Sequence, residues 1–199
     1  MSQYKGELTE KQAIARFAHF ANNLKNLSYD IFLKYNKGQE YSGKIHITCD
    51  LVKVSSEFFI DWSGSEVSSL SINGNPVASS DNYASMRKGV FFFLPQDQLK
   101  VGQNEIIIEF KNNYASDGCG LHSFIDTDNR QYTYTDFEPF FANRFIPCFD
   151  QPDLKAPYTL IAAIPNEWNM VSNSPTNAEK SQGLDKSKYL TEAEQSTHQ

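Results

Sequence analysis

The sequence predicts a mainly β domain: an antiparallel β-sandwich or saddle-shaped sheet with a short N-terminal helix. Two early segments alternate apolar and polar residues, which is the period of a strand with one buried face. Short apolar runs then recur between turns rich in Asn and Gly. The chain has 199 residues, of which 40% are apolar and 14% aromatic, a composition that suits one folded core.

A helix is expected to begin at Thr9. Thr9 and Gln12 have the spacing of a capping box, in which the hydroxyl accepts from an unpaired backbone amide and the later side chain reaches back to the cap. Apolar residues then recur at helical spacing and predict a stripe that packs on the body of the domain: Ile14, Phe17, Ala18, Ala21 and Leu24. The polar residues within 22–26 are expected to end the helix.

The first two strands are predicted at 27–35 and 45–51, where every second residue is apolar. Between them, Asn36-Lys37-Gly38 supplies a turn with a residue that is free to adopt positive φ. We therefore expect these strands to form a hairpin.

Later strands are expected at 58–60, 70–72, 90–94, 106–110 and 158–165. Asn73-Gly74 predicts a hairpin after the second of these, and Pro165 is expected to end the last. From residue 173 onward, large apolar residues are few, which predicts a loop that runs into a mobile end. The predicted division is a leader and helix at 1–26, a β-domain at 27–175 and a mobile end at 176–199.

Charge and cysteine content narrow the functional classes. The net charge is −6 with a pI of about 5.2, and no Lys/Arg cluster is present, so neither nucleic acid nor an anionic membrane is an expected partner. The N-terminus lacks the apolar stretch of a secretory signal. Cys49, Cys119 and Cys148 are too widely spaced to suggest a disulfide framework or a paired-cysteine zinc site. A reducing, cytoplasmic setting is expected.

Residues 135–156 carry the strongest functional signal. They contain Thr135-Asp136-Phe137-Glu138-Pro139, followed by Ala142, Arg144, Pro147-Cys148-Phe149-Asp150, Pro152 and Lys155-Ala156. These residues resemble the signature T-(Q/D)-x-E-P and A-x-R-x-x-P-C-F-D-x-P-x-x-K-A of the aminopeptidase N type (gluzincin) zinc metallopeptidases. Nearly the whole chain resembles the amino-terminal domain of that family.

The resemblance implies a role for Glu138. In the family this glutamate lies on a loop that reaches the active site of the following domain and holds the free α-ammonium of the substrate. Glu138 is therefore expected to bind the N-terminus of a peptide, and Asp136 to border the same pocket. A charge-assisted pair with a free amine would position the first peptide bond and exclude blocked termini. The alternative is a surface carboxylate on a turn before Pro139.

The catalytic motif of the family is absent from the sequence. Zinc in these enzymes is held by H-E-x-x-H and a distant glutamate, but none of the four histidines begins that motif, and the G-x-M-E-N loop is also missing. No catalytic residue and no metal ligand is therefore expected here, and zinc is expected only in the complete enzyme. The favoured interpretation is the substrate-side domain of a zinc aminopeptidase, truncated and inactive alone. The alternative is a free-standing binding or assembly domain derived from the family.

Other side chains have a structural interpretation beside a functional one. Cys119, His122 and Asp126 are potential metal ligands, but their separation fits no standard zinc pattern, which favours packing or hydrogen bonding for His122. Arg144 and Asp150 are expected to form an internal ion pair or to staple a loop. Cys148 is expected to be a small buried apolar residue.

Aromatic residues suggest two kinds of surface. Some would suit carbohydrate binding, although many fall in alternating or family-matched segments, which favours core and interface packing: Tyr83, Phe91, Phe92, Phe93, Tyr132 and Tyr134. Phe137, Phe140 and Phe141 flank Glu138 and are expected to form an exposed apolar patch. Such a patch predicts either self-association or binding to a separate chain that carries the zinc domain.

Overall fold

A computed structural model describes residues 9–55, 57–81 and 83–175. Its helix and strands are α1 (Glu10–Phe20), β1 (Leu24–Tyr35), β2 (Glu40–Leu51), β3 (Phe59–Asp61), β4 (Glu66–Ile72), β5 (Asn75–Pro76), β6 (Arg87–Lys88), β7 (Phe91–Phe93), β8 (Gly102–Asn113), β9 (Gly120–Ile125), β10 (Gln131–Asp136) and β11 (Tyr158–Ala163). Short 3-10 turns span Ala84–Met86, Gln96–Gln98 and Ala142–Arg144. The predicted mainly β fold with one short N-terminal helix is confirmed.

The strands form one large sheet and two small ones. The large sheet has six strands in the order β11-β1-β2-β8-β4-β5, the second has the order β3-β7-β6, and β9 pairs with β10. Strand β1 is antiparallel to β2 and β2 to β8, whereas β11 runs parallel to β1. The sheets are thus mainly antiparallel, as the alternation of strands and turns predicts.

Both predicted hairpins form. The β1–β2 turn contains Gly38 at φ 100°, and the β4–β5 turn contains Asn73 at φ 54° and Gly74 at φ 80°. In the second turn, positive φ at both central residues matches the right-handed twist of the flanking strands. The turn residues therefore fix the register of each hairpin.

The core lies on one face of the large sheet. Strand β2 shows this most clearly, since its alternate residues are buried while Ser42, Lys44 and His46 between them are half-exposed. Trp62, which follows β3, packs edge-on against Phe110 of β8 with 5.0 Å between ring centroids. The small β3-β7-β6 sheet thereby covers part of the apolar face of the large sheet.

Helix α1 begins as expected, because the Thr9 carbonyl accepts from the Ala13 amide at 2.9 Å. The Gln12 side chain of the predicted capping box lies outside the described part of the structure. The helix ends at Phe20, and Leu24 belongs to β1 instead.

The predicted apolar stripe of α1 is wrong. Ile14 and Phe17 are 62% and 55% exposed, whereas the buried residues of the helix are Arg16 and Phe20, at 4% and 0%. Positions four apart share one face of a helix. The face that carries Arg16 and Phe20 therefore packs on the domain, where Arg16 has a buried partner. That partner is Asp61 of β3.

The predicted mobile end at 176–199 lies outside the described residues. In the described part, no helix is long and apolar enough to cross a membrane.

Candidate functional site

An open cleft of about 880 Å³ lies beside the end of β10 and the segment that follows it. Its walls mix aromatic side chains with two carboxylates, and they include Tyr29, Phe137, Glu138, Phe149, Asp150 and Trp168. Most of the residues that resemble the family signature thus line one concave surface, but Asp136, Arg144, Pro147 and Lys155 do not. Concave sites with few polar groups are typical ligand-binding positions.

Glu138 lies at this cleft on the turn that follows β10. Its side chain is exposed, and its peptide bond to Pro139 is cis. Within residues 9–55, 57–81 and 83–175, no side chain forms an ion pair or hydrogen bond with the Glu138 carboxylate. The exposed Glu138 carboxylate is therefore available to a cationic group that is not part of the described residues.

Asp136 is the last residue of β10 and is also exposed. Its Oδ1 accepts from the backbone amide of Glu138 at 3.3 Å. Thr135 and Phe137 on either side line the cleft, whereas Asp136 itself is not among its lining residues. Asp136 therefore shapes the turn on which Glu138 sits.

Aromatic stacking fastens the start of this turn. The Phe137 ring stacks on Phe145 with 5.2 Å between centroids and 22° between planes. The Phe141 amide donates to the Phe137 carbonyl at 2.9 Å, and the Tyr41 hydroxyl donates to the Phe145 carbonyl at 2.7 Å. Because Tyr41 belongs to β2, the turn is tied to the large sheet.

Asn143 fastens the other end of the turn. It is buried, and its Nδ2 donates to the Phe140 carbonyl at 3.1 Å and to Asp150 Oδ2 at 2.8 Å. Its Oδ1 accepts from the Ser63 hydroxyl at 2.5 Å. All its amide groups are used within the protein, so Asn143 supports the loop rather than a ligand.

The expected ion pair between Arg144 and Asp150 is wrong. Arg144 Nη2 donates to both carboxylate oxygens of Asp117 at 2.9 Å, while Asp150 accepts from Asn143. The reason is the direction of the Ala142–Arg144 turn, which packs against the start of β9: a Cβ on Gly120 would lie 3.1 Å from that of Arg144. Arg144 and Asp150 each hold a loop in place, as the alternative expectation states, but they do so through Asp117 and Asn143 and not through each other.

A buried ion pair that the sequence did not predict contacts Cys148 and Asp150, which line the cleft. Arg16 donates to both oxygens of Asp61, at 2.6 and 2.5 Å. Burial raises the pKa of Asp61 to about 6, although the hydrogen bonds and charge of Arg16 act in the opposite direction. The available signals were an arginine four residues before Phe20 and a lone aspartate between the apolar residues Ile60 and Trp62.

The described residues do not fit a zinc ion. They contain no group of three or more His, Cys, Asp or Glu side chains that could hold a metal. The Nδ1 atom of His122 accepts from the Gly118 amide at 3.1 Å, and its ring packs 4.9 Å from that of Tyr134. This environment agrees with the packing and hydrogen-bonding interpretation of His122.

Cys148 is buried, as expected for a small apolar residue, and burial raises the pKa of its thiol well above the usual value. The Cys49, Cys119 and Cys148 thiols are all free.

The expected apolar patch around Glu138 is smaller than predicted. Phe141 is buried at 7% exposure, Phe140 is half-buried, and Phe137 is 37% exposed. Arg144 covers one face of Phe141, since its guanidinium carbon lies 5.5 Å from the ring centroid. Phe137 thus remains as the exposed ring beside Glu138.

The other aromatic residues divide between core and surface. Tyr83 and Phe92 are buried, and Phe91 and Phe93 pack against the core, which confirms the packing interpretation for these four. Tyr132 and Tyr134 are 39% and 46% exposed on β10. Their rings pack across the strand pair against Phe124 and His122 of β9, at 5.5 and 4.9 Å between centroids. Four of the six aromatic residues therefore belong to the core, and the other two pack on the surface of the β9–β10 pair.

Comparison with known proteins identifies similar chains. The profile of the Peptidase M1 N-terminal domain matches residues 25–198. Aminopeptidase N of Streptomyces lividans is 32% identical over 153 residues, which cover 75% of this chain and 17% of that protein. Human glutamyl aminopeptidase is 45% identical over 79 residues, which cover 38% of this chain and 8% of that protein.

Solved structures show the same fold. A mutant M1 zinc metallopeptidase from Deinococcus radiodurans aligns with a TM-score of 0.54 at 22% identity, covering 72% of this chain and 33% of that chain. The same metallopeptidase bound to a Tyr-Ser-Ala substrate aligns with a TM-score of 0.53 at 21% identity. At these identities the likeness is one of fold.

Proposed function

The chain belongs to the Peptidase M1 N-terminal domain family, and from this premise we propose that it is the substrate-side domain of an aminopeptidase that removes N-terminal amino acids from peptides. In this proposal Glu138 holds the free α-ammonium of the substrate, and Asp136 borders the same pocket. The proposed partner is the N-terminus of a peptide.

The position of Glu138 is the observation that carries the proposal. Its exposed carboxylate lies at the cleft without a cationic partner among the described residues, on a turn held by Phe145 and Asn143. A charge-assisted hydrogen bond from an ammonium group to this carboxylate would fix the end of a peptide. An acylated terminus has no positive charge and would not gain this interaction, so the site would select free N-termini.

The hydrolytic step is proposed to need residues beyond those of this sequence. The 199 residues contain no H-E-x-x-H motif, and the described ones do not fit zinc. We infer that a separate catalytic unit supplies the metal in the complete enzyme and that this chain alone releases no amino acids. The unit belongs either to the same polypeptide or to another chain. The division at residues 26 and 175 and the cytoplasmic setting stay predictions.

A domain exchange tests the proposal. The matching segment of the Streptomyces lividans aminopeptidase N is replaced by residues 25–198 of this chain, and cleavage of an aminoacyl reporter is measured. Glu138→Gln should lower kcat/KM by at least about tenfold, because the neutral amide keeps the shape and loses the charge-assisted pair. Glu109→Gln on β8 is the matched control, since Glu109 pairs with Lys44 at 3.1 Å and does not line the cleft, and it should leave kcat/KM unchanged.

If the protein with the exchanged domain is inactive, a binding measurement on this chain tests the role of Glu138 instead. In an NMR titration of the chain itself, leucinamide should shift the resonances of residues 136–138, and N-acetyl-leucinamide should not. Glu138→Gln should abolish the leucinamide shifts. Equal responses to both compounds, or unchanged shifts in the Glu138→Gln protein, would contradict the role of Glu138 and favour a free-standing binding or assembly domain.

A further inference from the structure

We propose that Arg16 and Asp61 are positioning residues for the loop that carries Glu138. Their buried pair joins α1 to both ends of the segment 138–150. It thereby fixes the position of the loop at the cleft. The functional meaning of this inference rests on the proposed role of Glu138, but the fastening of the loop does not.

Asp61 attaches the pair to the far end of the segment. Its backbone amide donates to the Cys148 carbonyl at 2.7 Å, and the Cys148 amide donates to the Asp61 carbonyl at 3.1 Å. The Asp150 amide donates to Asp61 Oδ2 at 2.9 Å, the same oxygen that accepts from Arg16 Nη2 at 2.5 Å. One buried carboxylate thus links the helix to residues 148–150.

Arg16 attaches the pair to the near end of the segment. Its guanidinium carbon lies 5.4 Å from the ring centroid of Phe140, two residues after Glu138. Three further rings surround the same group at 5.2–5.9 Å: Phe59, Phe91 and Phe20. Attraction between a cation and aromatic faces strengthens when the group is shielded from water. Phe140 is therefore held against a fixed, buried charge.

The two attachments meet at Asn143. Phe140 offers its carbonyl to Asn143 Nδ2 at 3.1 Å, and the same nitrogen donates to Asp150 Oδ2 at 2.8 Å. These contacts form a closed ring of interactions. It runs from Arg16 to Phe140, Asn143, Asp150 and Asp61 and back to Arg16. Movement of Phe140 would have to stretch these contacts, and Glu138 precedes Phe140 by only Pro139.

The chemistry of the pair favours positioning over simple stabilisation. A buried ion pair is often matched or exceeded in stability by apolar residues of similar volume, so a core contact alone would not require it. The planar guanidinium meets both oxygens of Asp61 and packs between rings at the same time, which fixes its orientation. A lysine would retain the charge without this geometry.

Hydrogen–deuterium exchange of the 199-residue chain tests the inference. In Arg16→Met, amides within 137–151 should exchange at least about tenfold faster, since a buried charge loses its partner, while β2 and β8 stay protected. Arg16→Lys should give an intermediate rate. Arg130→Met is the control, because Arg130 forms an exposed pair with Asp128, and it should leave 137–151 unchanged.

The double variant Arg16→Met/Asp61→Leu separates positioning from stability. It removes both charges, so the urea midpoint should recover relative to Arg16→Met, whereas fast exchange at 137–151 should persist. Recovery of protection together with the midpoint would overturn the inference, as would unchanged exchange in Arg16→Met. If the double variant does not fold, Arg16→Lys decides, and wild-type exchange at 137–151 in that variant would overturn the inference.

The leucinamide titration distinguishes this inference from the proposed function. If exchange at 137–151 rises in Arg16→Met and the leucinamide shifts weaken, both are supported. If exchange rises but leucinamide produces no shift in the wild-type chain, the pair positions the loop and the ammonium role of Glu138 fails. If leucinamide binds through Glu138 equally well in Arg16→Met, the positioning role fails.

Discussion

Asn143 and Asp150 close the loop after Glu138 through a single carboxylate oxygen. Oδ2 of Asp150 accepts from the Asn143 side chain at 2.8 Å and from its backbone amide at 3.0 Å. Burial raises the pKa of Asp150, and these donors from Asn143 oppose the rise. The carboxylate of the family motif therefore serves here as an acceptor that holds a buried amide in place.

Replacement of Asn143 by Asp should reverse this interaction. The variant places a second carboxylate beside Asp150 in a buried position, which should lower the free energy of unfolding by about 2–4 kcal/mol at pH 7. The loss should shrink as the pH falls, because a protonated acid can again donate to its neighbour. Urea unfolding at pH 7 and pH 5 measures both effects.

Asn166→Asp provides the control for that measurement. Asn166 is exposed, so the same chemical change there should alter stability by no more than about 0.5 kcal/mol. Equal losses in the two variants would show that added negative charge, rather than the Asn143 contact, is responsible.

Gly43 should not tolerate a side chain. It lies on β2 opposite Leu33 of β1 and Phe110 of β8, and a Cβ there would approach Phe110 Cζ to 2.6 Å and Leu33 Cδ2 to 2.8 Å. Gly43→Ala should therefore lower the free energy of unfolding by about 1–3 kcal/mol through overpacking. Ser42→Ala, on the half-exposed face of the same strand, should have little effect. A fully stable Gly43→Ala protein would contradict this packing.

The fold was largely predictable because its signals are local. Strand alternation and the Gly38 and Asn73-Gly74 turns involve neighbouring residues, so the hairpins follow from the sequence. The parallel pairing of β11 with β1, in which Tyr158 lies opposite Tyr29, has no such signal. It depends on the path of the whole intervening chain.

The residues of the candidate site could be predicted only where they belong to the sequence motif, as Glu138 does. Hydrophobic spacing predicts the wrong face of α1, because it disfavours burying Arg16. Asp61, 45 positions away, offsets the cost of burying that charge. Proximity in sequence favours Asp150 as the partner of Arg144, but its partner is Asp117, 27 positions away. Both errors concern ion pairs whose partners are brought together only by the tertiary fold.

The three cysteines should differ sharply in reactivity. Burial raises the pKa of Cys49 to about 12 and that of Cys148 well above the usual value, and both thiols are buried, whereas Cys119 is half-exposed. Since the thiolate is the reactive form, an aromatic disulfide reagent should label one thiol quickly in the native protein and all three in denaturant. Cys119→Ser should remove the fast phase. Two fast thiols in the native protein would contradict the buried positions.

The ring of His19 in α1 stacks on Phe59 with 5.6 Å between centroids. Burial lowers the pKa of His19 below 6.5; the nearby Lys53 and Arg16 charges also lower it, and Glu57 opposes them. The folded protein therefore binds this proton less readily than the unfolded chain. The contribution of neutral His19 to stability is complete above pH 6.5 and is lost as the pH falls toward the lowered pKa.

His19→Phe keeps an aromatic ring and removes the titration. Its free energy of unfolding, relative to the wild type, should therefore rise as the pH falls from about 7 to about 5 and stay constant between about pH 7 and 8. Urea unfolding across this range measures the difference, and NMR titration of the His19 ring reads its pKa directly. Parallel pH profiles for the two proteins, or a ring that titrates above 6.5, would show that His19 is not held neutral by its aromatic surroundings.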